Sequence, residues 1–568
     1  MLRKLLLIGT TLAIVAMGFV SGSAGAANAP GLTYSGARSA ATGTTATYSA
    51  TLADGAGVAI AGADVAFQVA NQPAVHATTD ATGVASTTQE ILKAAGQYLL
   101  AVTSAGQPDV TVRFAVTPAQ FDLHDVLAAN GGGEPSISSS PDGTLYTSGL
   151  STGTTLLRSS DNGETWVKPK TVPFASSGDS TVGTDSQGNV YLTNLGGSGA
   201  NELQVFLYRS GNHGDGPWTL GQGPANAGNS SNSPLLVDRQ WVDSYTPATP
   251  GAQTRVYMTY HDWAPSQIWV NASTDGGAHF GIPQDVITSP QAQAASFCST
   301  IPGGIKAVQS GPKAGRVYVA WLAADPLNPA TGCNETQAQN FHTLWVAWSD
   351  NADAQVPTWT DQLVFDGGIS NDGSTIFADL TVDSAGNPYI AFDMPLLHEW
   401  DSFVEASFDG GLTWNGRSDG TGTPYRVNND TGSHYYAAIA AGDPGRVAVV
   451  YLRTPTLVPT LPNGKPKPGG DPNALWKVYV AESLDLNLGS PTWTVADVKT
   501  KPMHKGDICT FGIACVGTLG ADRSLLDFID IAVSPDGTFH ASYADNFQNS
   551  LQLRVVNEAG GPSAYAAH

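Results

Sequence analysis

Charge is scarce in this chain. Only 13% of its 568 residues are Asp, Glu, Lys or Arg, too few for the long solvated helices and charged tracts of a disordered or coiled-coil protein. What charge exists is lopsided, with 48 acidic against 26 basic side chains and a formal net charge of −22. A surface of that sign repels nucleic acid and anionic membranes, so neither is expected as a partner. Cysteine is nearly absent as well. The four present form no CxxC and have no cysteine–histidine cluster nearby, which argues against a zinc site. No DxDxDG-type loop occurs, so calcium has no dedicated motif here and no cofactor is expected, although scattered acids leave a cation open.

Long apolar runs are missing too, except at the start. MLRKLLLIGTTLAIVAMGFVSGSAGAANAP has Arg3 and Lys4 ahead of an apolar stretch, then small residues around Ala24–Ala26. That layout predicts a secretory signal peptide over residues 1–26, and hence a secreted protein with no membrane span after cleavage. In an exported chain four cysteines suggest two disulfides. Of the three possible pairings, Cys298–Cys333 with Cys509–Cys515 is preferred, because Cys509 and Cys515 are close enough to close a small loop.

What the chain has in quantity is turns: 64 Gly and 35 Pro. Between residues 31 and 117, short alternating runs (ATYSATL, ADVAFQVA, GQYLLAVTS, VTVRFAV) are separated by turn signals, the pattern of a small β-sandwich. TDATGVAST with strands on either side resembles the bacterial immunoglobulin-like domains of the invasin-type group, which implies a spacer or attachment module. From residue 118 to 568 the grammar changes. A paired-strand unit recurs seven times, and its second strand is the clearest part: LYTSGL (145–150), VYLTNL (190–195), VYMTYHD (256–262), VYVAWLA (317–323), PYIAFDM (388–394), VAVVYLR (447–453) and FHASYAD (539–545). A second hairpin follows each unit, and three of these carry close copies of one turn: SSDNGETW (159–166), STDGGAHF (273–280) and SFDGGLTW (407–414). Worn copies start at Ser210, Ser349 and Ser483.

Four short antiparallel strands repeated radially make a β-propeller. The expected fold is therefore all-β, an immunoglobulin-like sandwich followed by a propeller of seven blades, or six if one unit is misread. The last unit is short of an outer strand, which FDLHDV (121–126) can supply to close the ring. The Ser-x-Asp-x-Gly-x-Thr-Trp turn resembles the Asp-box, or BNR-repeat, propellers whose best-known members are sialidases.

On such a ring the Asp-box aspartates Asp161, Asp275 and Asp409 sit in outer turns. A short acid there accepts hydrogen bonds from backbone N–H groups, so they read as structural. The functional candidates lie at the other end, where inner strands begin. Glu134 and Asp179 occupy equivalent entry positions, with Asp238 and Arg239 near the third entry and Asp379 and Asp530 two residues deeper. His434, Tyr435 and Asp527 come from the last two entries. The ends of the second strands add His261, Asp262, Asp393, Arg453 and Asp545. Glu134, Asp179, Asp238 and Tyr435 are the catalytic candidates; Arg239, Asp262, Asp379, Asp393, His434, Arg453, Asp527 and Asp530 are the ligand-binding ones. The sialidase resemblance implies three arginines for a substrate carboxylate, the first in a Phe/Tyr-Arg-Ile-Pro motif, yet GEPSISSS stands there with Glu134 and no arginine. An acid-rich mouth is wrong for an anionic sugar. Two functions remain: binding of an extracellular glycan or cell-surface ligand, or a glycosidase or lyase on neutral or basic glycans using a carboxylate pair.

Overall fold

The computed structural model describes residues 31–566 apart from 151–152, 173–177, 198–202, 224–235, 263–265, 329, 331, 335–339, 376, 513 and 549. The expected signal peptide lies outside the described residues. The chain forms two compact units: the first takes residues 46–89 and 99–114 together with the residues up to Arg38, and the second takes the rest. In the first unit, the strands Gly31–Tyr34, Thr45–Ala53 and Val84–Glu90 form one sheet, and Asp64–Val69 and Gly96–Thr103 belong to another. Alternation along Thr45–Ala53 buries Tyr48, whose ring stacks on Phe67 at 5.7 Å and meets Phe114 edge-on at 6.0 Å.

The second unit holds seven antiparallel sheets in chain order. Their first strands are Gly133–Ser139, Val182–Thr184, Val237–Tyr245, Ser299–Ala307, Asp379–Val382, Ser433–Ala441 and Asp530–Val533. Each first strand contacts the next, and the seventh contacts the first, so the sheets form a closed, propeller-like ring. All seven line one axial channel of about 260 Å³. Every repeated segment found in the sequence is the second strand of its sheet.

Those second strands read as continuous apolar runs because both faces are covered. Along Val317–Asp325, Val317, Val319, Trp321 and Ala323 pack with Tyr257 and Ile305 of the third and fourth sheets. Tyr318, Ala320, Leu322 and Ala324 pack on the other face with Ile390 and Phe392 of the fifth. Each sheet thus lends one face to each neighbour, and burial costs and gains are shared around the ring.

The Ser-x-Asp turns are hydrogen-bond cages. Asp161 accepts from the Thr165 backbone N–H (2.9 Å), the Thr165 hydroxyl (2.6 Å) and Ser159 (2.7 Å), while Ser159 accepts from Gly163 N–H (2.9 Å). Gly163 is left-handed (φ 85°), which a side chain would strain. Asp275 and Asp409 repeat the cage with His279 and Thr413. Each close copy also holds the preceding sheet, its Gly carbonyl accepting from Asn557, Arg209 or Arg316.

The last sheet is completed from the start of the ring. Asp122–Asn130 pairs antiparallel with Gln552–Gly560, and Arg554 Nε donates to Asp125 Oδ1 at 2.9 Å. Both disulfides follow the preferred pairing, Cys298–Cys333 and Cys509–Cys515. Removing residues 118–127 should lower the thermal midpoint by on the order of 10 °C, since most of the closing strand and the half-buried Phe121 and Leu123 are lost. An unchanged midpoint by calorimetry would show that the ring holds without this strand.

Candidate functional site

Four inner strands break step where they enter the ring. The ladders shift between Gly133 and Ser136, Asp238 and Trp241, Pro302 and Ile305, and Tyr435 and Ala438. Each bulge carries a left-handed residue: Glu134 (φ 47°), Arg239 (45°), Gly304 (97°) and Tyr436 (63°). Three of these are not glycine, and each such residue costs on the order of 1 kcal/mol that the surroundings must offset. A bulge re-aims side chains, and here Glu134, Arg239 and Tyr436 are brought to one cluster on the axis.

Arg239 is its centre. Nη1 lies 3.3 Å from Glu134 Oε2 and 3.1 Å from Asp179 Oδ2. The guanidinium sits over Phe528 at 4.3 Å, Phe377 at 4.9 Å and Trp241 at 5.3 Å. The three rings contact each other at 5.2 to 6.2 Å and close the axis like a lid. A desolvated cation over aromatic faces gains about 2 kcal/mol or more per favourable ring. Arg523 reaches Glu134 Oε1 at 3.5 Å and pairs with both oxygens of Asp527. Asp238 Oδ1 accepts the Arg239 backbone N–H at 2.8 Å, and the Tyr436 hydroxyl donates to the Leu526 carbonyl at 3.0 Å.

Burial, and then the neighbouring charge of Asp179, push Glu134 well above the usual carboxylate range. The same two causes raise Asp238 to about 7. Asp179 pairs with Arg239 and Asp527 with Arg523. Most of the cluster is sealed: the Glu134 side chain is 1% exposed and those of Arg239 and Asp527 are 5%, against 18% for Asp179 and 17% for Arg523. The solvent-facing edge is thus Asp179 and Arg523, with Asp238 also partly exposed.

The other sequence candidates lie elsewhere. Asp379 and Asp530 sit below the aromatic lid and reach across sheet joints, accepting the backbone N–H of Ile439 (2.8 Å) and Ile137 (2.9 Å); Asp243 does the same for Ala307 (2.7 Å). Burial and the facing Asp530 raise Asp379 to about 7. Tyr435, on the opposite side of its strand from Tyr436, is packed against Trp476 (4.7 Å) and Trp400 (5.7 Å). Asp393 is raised to about 6 by burial and is held by Thr375, Ser402 and the Ala437 N–H. His434 and Arg453 share Asp430, at 3.0 and 2.7 Å, in a separate group on the sixth sheet. Asp262 holds its own loop through Gln267 N–H and the Trp269 indole. His261, opposite Asp238 in the ladder, is lowered to about 4 by burial, and Asp545 pairs with Lys499. Sequence reasoning missed Arg523, Tyr436 and the three rings. The signals were ADRSLLDF, with an arginine four residues before Asp527, and the aromatic residues beside the chosen acids. Among the described residues no three His, Cys, Asp or Glu side chains are grouped to hold a metal ion.

No family model matches the chain, and no curated protein matches it by sequence. Among solved structures it is similar to a polysaccharide lyase described as an ulvan lyase, with 11% identity and a TM-score of 0.44 over 78% of this chain and 97% of that one. The Dos1 propeller is similar at 9% identity and a TM-score of 0.35, covering 94% and 96%. A structure of NanB with optactamide gives 11% identity and 0.35, covering 93% and 92%.

Two substitutions test the cluster. Asp238 keeps in the folded state a proton that the unfolded chain releases near pH 4, so it lowers stability as pH rises from about 4 to 7. Asp238→Asn should therefore gain in thermal midpoint over wild type across that window and hold its advantage above pH 7; a pH-independent difference rejects the assignment. Arg239→Met should cost about 3 kcal/mol or more in urea unfolding, because it strands Glu134 and Asp179 without their cation.

Proposed function

We propose that the chain is a secreted Asp-box protein, an immunoglobulin-like module over residues 31–117 followed by a seven-bladed propeller over 118–568. It binds an extracellular glycan at the mouth of the ring without cleaving it. The observation that carries this reading is the sealing of Glu134. The acid best placed for chemistry is 1% exposed and bound by two arginines. A general acid must touch the bond it protonates. The reachable edge, Asp179 with Arg523, offers an acceptor and a donor to sugar hydroxyls. The resemblance of the Ser-x-Asp turns to Asp-box propellers turns the choice of ligand toward glycans. Both axial arginines are occupied by acids and rings, which supports a neutral or basic glycan over a sialic acid.

A second reading, a glycosidase or lyase using a carboxylate pair, is favoured by Asp238, raised to about 7 and so able to hold a proton for catalysis at neutral pH. A glycan array and a panel of chromogenic glycosides separate the two. The binding reading expects retention of neutral or amino glycans, at least 10-fold weaker in Asp179→Ala, with no turnover. Hydrolysis by wild type that Glu134→Gln abolishes would establish the enzyme instead, and an array with no retained glycan would end the binding reading.

A further inference from the structure

The aromatic lid has two sides, and its far side closes the axial channel. Along the third inner strand the order is Asp238 and Arg239 at the mouth, Trp241 in the lid, and Asp243 beyond it. The seventh enters in the same order, with Asp527, then Phe528, then Asp530. The channel of about 260 Å³ thus begins under Trp241 and runs to the turns that follow the inner strands, where Pro141, Ser186 and Gln309 line it. It does not include Glu134, Arg239 or Asp179.

One cation stands among the lining residues. Lys306, from the fourth inner strand, feels the charges of Asp243, Asp379 and Asp530, yet its ammonium makes no hydrogen bond or ion pair within 4 Å among the described residues. Each of those carboxylates has one oxygen committed to a backbone N–H across a sheet joint, and the other oxygen of Asp530 accepts from the Ile531 N–H at 2.8 Å. Lys306 is half-buried, and the three N–H donors of its ammonium have no acceptor in the wall. Whatever fills the channel supplies acceptors. The rest of the wall is mixed, with hydroxyl residues such as Ser138 and Thr381 beside apolar ones such as Val182, Val242 and Val533, and Trp241 stands at its upper end.

Donor, acceptor and aromatic platform in one small cavity are the complement of a polyhydroxylated ring, whose hydroxyls both give and take hydrogen bonds and whose C–H face lies on an aromatic. An inorganic anion meets three carboxylates here, and a metal cation meets Lys306. The volume is below the roughly 300–1,000 Å³ of drug-sized ligand sites, which limits the occupant to about one sugar ring. We propose that the axial channel is a second binding site, taking a neutral monosaccharide or the terminal ring of a glycan. It enters from the end opposite the mouth, with Lys306 donating to it, Asp243 and Asp379 accepting from it, and Trp241 at the closed end against its apolar face. This site is independent of what the mouth binds.

Saturation-transfer NMR on the full chain with glucose, galactose and N-acetylglucosamine as probes tests it. Wild type should show transfer to at least one probe. Lys306→Met should weaken that binding at least 10-fold. Asp179→Ala silences the mouth, should lose array binding and should keep transfer to the probe, which keeps the two sites distinguishable. Ser138→Phe, added to Asp179→Ala, fills the lumen while leaving every charge of the channel in place, so it decides the matter even where Lys306→Met does not fold; it should abolish the remaining transfer. Absence of transfer in Asp179→Ala, full transfer in a folded Asp179→Ala, Ser138→Phe protein, or a crystal soaked in the probe with water alone in the channel each overturns the proposal.

Discussion

The ring rests on carboxylates that leave their own strand to hold the next sheet. Asp243, Asp379 and Asp530 each accept a backbone N–H from the following inner strand, at 2.7, 2.8 and 2.9 Å. Strand ladders hold each sheet together but place no hydrogen bond between sheets, and apolar faces can slide. A directional bond to the backbone of the neighbour fixes the register at the third, fifth and seventh joints. At the outer rim, the Ser-x-Asp turns of the first, third and fifth sheets hold the sheets that precede them. Inner and outer devices point in opposite directions around the ring, so most joints are held from at least one end.

With the joints held, the axis can tolerate a buried charge. Arg239 is left-handed, withdrawn from water and only partly hydrogen-bonded, a combination that would be unaffordable on an isolated strand. It persists because three rings from three separate sheet entries cover it and two carboxylates neutralise it. That arrangement removes Glu134 from solvent and leaves Asp179 and Arg523 as the edge a ligand can reach. Strain at this mouth therefore sets geometry and selects which charges remain available.

Much of this was legible in the chain itself. The seven second strands were visible because doubly covered strands cannot hide their apolar runs, and the ring-closing strand followed from the deficit in the last unit. The aspartates of the Ser-x-Asp turns read as structural because the motif recurs from sheet to sheet. What was not legible came from the bulges. Alternation along SHYYAAIA cannot say which tyrosine faces the axis once two residues oppose one, and Tyr436 takes the place expected for Tyr435. Asp379 and Asp530 were grouped with the mouth because nothing in a sequence marks the lid that separates them from it. Arg523 lies in a connection with no counterpart in the other repeats, so no alignment of units could place it. His434 and Arg453 were grouped with the mouth, yet both pair with Asp430, an acid outside the repeat.

The pairing of Asp122–Asn130 with Gln552–Gly560 also sets a timetable. Arg554 and Asp125 are 429 residues apart, so during synthesis the ring stays open for roughly 20 to 90 seconds at the usual pace of about 5–20 residues per second. Throughout that interval the strand that will close the ring waits as an unpaired segment. Its sequence, DLHDVLAAN, carries two aspartates and a histidine among its first four residues, charges that discourage a waiting strand from pairing with a stranger. The same acid that fastens the finished ring, Asp125, is thus a guard while the ring is still a line.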